Sequence, residues 1–143
     1  MVSTPHTKEN NYMKITLSSK TFEQLVEENN FGWKYINSNY KPQKYKKGKV
    51  EIELKHFGKY ITNQEFLDWC RENGKRPATF NEALQFALQN PDKQKKYSLA
   101  TWDGGQLYYL FLGSGGEQRG LSVGRRSLIW KLGFWHLKKQ WKN

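Results

Sequence analysis

The chain has 143 residues, a single cysteine and a formal charge of +11, with a pI near 9.7. That length fits one domain with a modest core, and a lone Cys70 excludes an intrachain disulfide. No apolar run approaches the ~20 residues that span a bilayer, and an aromatic share of 15% argues against disorder of the whole chain.

A charge this large favours polyanionic partners: nucleic acid, an anionic membrane surface or an acidic protein. The N-terminal stretch MVSTPHTKENNYMK has no hydrophobic segment of the secretory type. The expectation is a cytoplasmic protein with no membrane span, with export by a non-classical route left open.

Residues 1–13 are polar and aperiodic and are expected to form a flexible tail, with a single domain over 14–143. Alternation from Lys14 to Leu17 suits a short strand. Phe22, Leu25 and Val26 share one face of a predicted helix over 19–30, with Ser18 or Ser19 as its cap. Trp33, Tyr35, Ile36 and Tyr40 read as an irregular aromatic stretch. The lysine-rich segment 41–49 reads as a loop, either contacting phosphate or simply solvated. Val50, Ile52 and Leu54 then alternate with charged residues, which predicts a strand with one buried face.

Two helices follow, each opened by a capping box. Thr62 has Glu65 three residues on, and Thr79 has Glu82. Phe66, Trp69 and Cys70 form the stripe of the first, which Gly74 ends. Phe80, Ala83, Leu84, Phe86, Ala87 and Leu88 form that of the second, which stops at Asn90-Pro91.

From Tyr97 the helical spacing vanishes. Segments 97–102, 107–112, 120–123, 127–130 and 134–141 read as short strands separated by Gly104-Gly105, Gly113 to Gly116, Gly124 and Gly133. Gly113-Ser114-Gly115-Gly116 lacks the Lys-Ser/Thr ending of a phosphate-binding P-loop and reads as a hairpin turn. The segment 118–143 carries Arg119, Arg125, Arg126, Lys131, Lys138, Lys139 and Lys142 with no acid, and Trp130, Trp135 and Trp141 are interleaved. Such a mixture suits a nucleic-acid surface or a protein-binding patch; the alternative is that the indoles are core and the cations a solvated face.

Catalytic chemistry finds little support. Cys70 sits on a helix stripe and reads as a small buried apolar residue. His6, His56 and His136 have no metal-ligand spacing, and Asp103 and Glu117 are the only acids after Asp92, too few for a carboxylate pair or a calcium site. No cofactor or metal is expected.

The order strand, helix, helix, then Gly-separated short strands resembles the C-type-lectin-like fold. The phrase Trp69-Cys70, Gly74-Lys75-Arg76-Pro77, Thr79, Glu82, Phe86 and Ala87 resembles its formylglycine-generating-enzyme (sulfatase-modifying) branch. The stretch from Lys49 through Asn90 is similar to small proteins of ultra-small bacteria, among them variable proteins of diversity-generating retroelements. The chain departs from that branch in two ways. Arg76 precedes Pro77 directly, where a leucine is usual, and the cysteine pair that the enzymes use for copper is absent. The resemblance therefore implies an α+β, C-type-lectin-like, non-catalytic scaffold that binds a protein or other anionic macromolecule through its C-terminal strands and loops. The alternative is a small basic nucleic-acid-binding protein. Candidate contact residues are Trp102, Tyr108, Arg119, Arg125, Arg126, Trp130 and Lys131.

Overall fold

The computed structural model describes residues 12–42, 47–56, 61–96, 98–102, 108–115, 117–125, 129–130 and 135–140. In chain order these form β1 (Tyr12–Leu17), α1 (Phe22–Asn29), β2 (Trp33–Ile36), β3 (Gly48–His56), β4 (Ile61–Thr62), α2 (Asn63–Glu72), β5 (Lys75–Pro77), α3 (Phe80–Gln89), α4 (Pro91–Lys96), β6 (Leu99–Trp102), β7 (Tyr108–Gly115), β8 (Gln118–Arg125), β9 (Ile129–Trp130) and β10 (Trp135–Gln140). The fold class is α+β, as the sequence implies.

Capping fixes where the longer helices begin. Glu65 N–H donates to Thr62 Oγ1 at 3.0 Å while Thr62 N–H donates to Glu65 Oε1 at 2.7 Å. Thr79 and Glu82 repeat the pattern at 3.1 and 2.9 Å. The first helix is also box-capped, but by Thr21 with Gln24 rather than by Ser18 or Ser19. Gln24 lies three residues after Thr21, the spacing at which a side-chain amide reaches back to the cap. Asn30 then leaves the helix in the left-handed region at φ 53°, which asparagine tolerates better than most residues.

The main sheet runs β1-β3-β10-β6-β7-β8-β2, with β5 added to β10. The β10 strand lies antiparallel to β3 (Leu137 opposite Leu54) and parallel to β6 (His136 opposite Ala100), and so joins the N-terminal strand pair to the β6-β7-β8 meander. At the far edge, β2 pairs parallel with β8, Trp33 opposite Gly120 and Tyr35 opposite Ser122.

Side-chain alternation divides this sheet into two faces. Leu99, Leu110, Leu112, Leu121 and Val123 point to one side, where α1 and α3 bring Phe22, Leu25, Phe80, Leu84 and Phe86 into the main core. Ala100 and Trp102 point to the other and meet Phe66 and Cys70 of α2 in a smaller cluster. Burying a large aromatic such as Trp102, whose ring lies 4.8 Å from that of Phe66, contributes on the order of 2–3 kcal/mol.

Several segments differ from their sequence reading. The first strand starts at Tyr12, so Tyr12 and Met13 belong to the sheet, paired with Glu53 and Ile52; the remainder of the expected tail, residues 1–11, lies outside the described residues. The aromatic stretch after α1 is partly a strand, because its pairing partner comes from β8, far away in sequence. Pro91 ends α3 and also opens α4, the first helical position being one that proline suits. The turn between α2 and α3 contains β5, entered through Gly74 at φ +68°. Finally, Gly113 and Gly115 are strand residues: β7 continues to Gly115, which faces Gln118.

Candidate functional site

The glycines of β7 and β8 alternate, and alternation puts them on one face. Gly113 and Gly115 on β7, with Gly120 and Gly124 on β8, lie on the face that also holds Ala100 and Trp102, and the partly buried rings of Tyr109 and Phe111 pack against that cluster. Each of three rings lies across a glycine. A β-carbon on Gly124 would stand 2.9 Å from Tyr109 Oη, and one on Gly113 would stand 2.5 Å from the Phe111 ring. One on Gly120 would overlap the indole of Trp33. The strands therefore form a flat floor on which rings lie lengthwise. The α2 helix covers this face at β6, whereas at the β2 edge Trp33 is 39% and Tyr35 56% exposed.

The same β2–β8 pairing has an electrostatic consequence. Residues 31–50 contain six lysines and no acid, and residues 118–143 contain seven Lys/Arg and no acid. Folding sets Trp33–Ile36 of the first stretch beside Gly120–Val123 of the second. Glu51 and Glu53 are on β3 with Lys49, five strands from β2, or about 24 Å at ~4.8 Å per strand, whereas the exposed Glu117 stands in the β7–β8 turn next to Gly115, over which the Trp33 indole reaches. Glu53 is ion-paired there with Lys75, whose ammonium lies 5.2 Å from the Trp69 ring centre, with Lys55 at 5.5 Å.

The candidate contact residues do not form one cluster. Trp102 is fully buried against Phe66 and presents no surface to a ligand. Tyr108 is 7% exposed and its ring meets Tyr40 edge-on at 5.4 Å. Arg125, opposite Tyr108 in the β7–β8 pairing, is exposed, its guanidinium 5.8 Å from the Tyr108 ring centre. Trp130 pairs through its backbone with Ile61, just before α2. Arg126 and Lys131 lie outside the described residues.

Arg119 has a different part to play. It sits at the other end of β8 from Arg125, six residues or roughly 20 Å away, and the even spacing puts both on the core side of the strand with Leu121 and Val123. It donates to Asn29 Oδ1 at 3.1 Å, to Gln94 Oε1 at 2.9 Å and to the backbone carbonyl of Asn29. Gln94 in turn donates to the carbonyls of Gly113 and Gly120, each at 2.8 Å, and Asn29 to those of Leu25 and Leu84 at 2.9 and 3.1 Å. Burial lowers the Arg119 pKa from the usual arginine value, yet an arginine remains charged at neutral pH. Arg119 is thus a tie between α1, α4 and the β7–β8 hairpin, and its guanidinium is already engaged by the protein's own acceptors.

Sequence reasoning passed over Trp33, Tyr35, Tyr109 and Phe111. The signal was present as period-two spacing: Trp33 and Tyr35, Tyr109 and Phe111, Gly113 and Gly115. Among the described residues no group of three or more His, Cys, Asp or Glu is placed to hold a metal, and no helix is long and apolar enough to cross a membrane. No family model, no curated protein and no solved structure matches the chain.

Proposed function

We propose that this chain is a non-catalytic binding module, a C-type-lectin-like scaffold that presents the β7–β8–β2 sheet and the adjoining C-terminal strands to a protein or other anionic macromolecule. The observation that carries the reading is the glycine-floored face, where the rings of Trp33 and Tyr35 remain exposed on a chain of formal net charge +11. A flat floor with exposed aromatics offers contact area at little entropic cost, and the net positive charge of the chain steers polyanions toward it. The C-type-lectin-like assignment is supported by the helix pair joined through Gly74-Lys75-Arg76-Pro77, and by the final strand returning to the N-terminal strands. If the chain is a variable protein of a diversity-generating retroelement, sister copies in one genome differ mainly along 102–131 and at the exposed β2 edge. Variation spread evenly over α1 and α3 contradicts that part of the reading.

The binding reading is tested by titrating the protein with nucleic acid and with a sulfated polysaccharide, from low to physiological salt. Binding that persists at physiological salt and weakens on Arg125→Ala with Arg126→Ala supports it. An absence of binding to every polyanion leaves a protein partner as the ligand class. The second reading, a small basic nucleic-acid-binding protein, is favoured by the formal net charge of +11 together with the exposed rings of Trp33 and Tyr35.

A further inference from the structure

We infer that the β2 edge, with Trp33 and Tyr35 over the glycines of β8, is a stacking platform for single-stranded nucleic acid. The inference rests on the binding-module reading and names the partner class. Three features favour an unpaired strand over other polyanions. First, Trp33 lies flat on Gly120 and still exposes 39% of its surface, so one side of the indole is seated on backbone while the residue remains accessible. A ring held in that way is a pre-set surface for a base, and base–aromatic stacking is tolerant of sequence.

Second, Trp33 and Tyr35 are two residues apart on one strand, and hence about 6.6 Å apart along it. That is about twice the ~3.4 Å rise per nucleotide of a stacked strand. Occupying both rings therefore requires an extended, unstacked chain, which a duplex cannot supply. Third, the formal net charge of +11 draws polyanions to the protein, the exposed Glu117 of the β7–β8 turn being the acid nearest to Trp33 along β8. On β2 itself the exposed Lys34 lies between the two rings and is directed to the opposite side of the strand, and the exposed Lys41 follows five residues after Ile36. A sulfated polysaccharide satisfies the charge but has no planar group for the rings.

The test is fluorescence anisotropy with a labelled mixed-sequence single-stranded 12-mer, a duplex of the same length and a sulfated polysaccharide, across a salt series. The expected result is tighter binding of the single strand than of the duplex at physiological salt. Tyr35→Ala weakens single-strand binding about ten-fold, and Trp33→Phe, which keeps a ring, weakens it less than Trp33→Ala. Tyr35, 56% exposed, can be truncated with little effect on folding, so its variant remains informative if Trp33→Ala fails to fold. Equal binding of single strand and duplex, or wild-type affinity in Tyr35→Ala, overturns the stacking inference and leaves the binding module intact. No binding to any of the three polymers overturns both the inference and an anionic ligand for the module.

Discussion

Trp33 lies against Gly120 so closely that a β-carbon there would overlap its indole ring. The two residues are opposite each other in a parallel pairing between strands that start 85 residues apart in sequence, at positions 33 and 118. The contact fixes the edge strand to the hairpin, and it defines the surface on which the functional reading depends.

Gly120→Ala is expected to lift Trp33 from its seat. The neighbour in the way is an aromatic ring packed on backbone, so relief requires movement of β2 itself. Overpacking of this kind costs about 2 kcal/mol. In urea unfolding the midpoint falls with the slope unchanged, and ligand affinity falls together with it.

Arg119→Lys is expected to destabilise the fold without a direct effect on ligand contact. A lysine cannot span Asn29 and Gln94 with a planar fork, and the acceptors left unpaired cost about 1–3 kcal/mol. The loss shows as a lower thermal midpoint. It should not depend on pH near neutrality: burial lowers the Arg119 pKa from the usual arginine value, so the unfolded chain holds this proton more tightly only between the lowered and the usual value. Stability gains from that group as pH rises through that alkaline window, and nothing changes below it.

Glu82 closes the cap of α3 and also receives Arg76 Nη1 and Nη2 at 3.0 and 2.8 Å. Its side chain is only 6% exposed. Thr79→Ala removes the cap alone and should cost about 1 kcal/mol. Glu82→Ala also strands the Arg76 guanidinium, and about 3 kcal/mol is expected. Equal losses in the two variants, measured by denaturant unfolding, contradict this ordering.

Trp102→Ala separates core from contact. The side chain is fully buried against Phe66, so truncation costs about 3–5 kcal/mol, whereas Trp102→Phe retains most of the stability. Arg125→Ala behaves oppositely: stability changes by less than about 0.5 kcal/mol, while polyanion binding weakens and its log–log salt slope falls by about one unit.

The parts of the fold legible in the sequence were those whose cause is local. Thr62 with Glu65 and Thr79 with Glu82 satisfy each other within four residues, and the alternation of Val50, Ile52 and Leu54 records one buried face directly. Thr21 was obscured because Ser18 and Ser19 also suit a cap, and only Gln24 distinguishes them. Whether Trp33–Ile36 is a strand is decided by β8, and whether Arg119 is a surface cation is decided by Asn29 and Gln94; neither partner is near in sequence. Gly113 and Gly115 were read as turn residues because glycine marks turns more often than floors. Their period-two spacing with Gly120 and Gly124 on the facing strand carried the other meaning, which becomes plain only with the register.

The most direct test of the account is a map of backbone amide and indole NMR shifts during titration with a mixed-sequence single-stranded oligonucleotide at physiological salt. The account expects the largest changes at Trp33, Tyr35, Phe111, Gly120 and Ser122, with α1 and α3 unmoved. Changes confined to the helical side of the sheet, or none at all, contradict it.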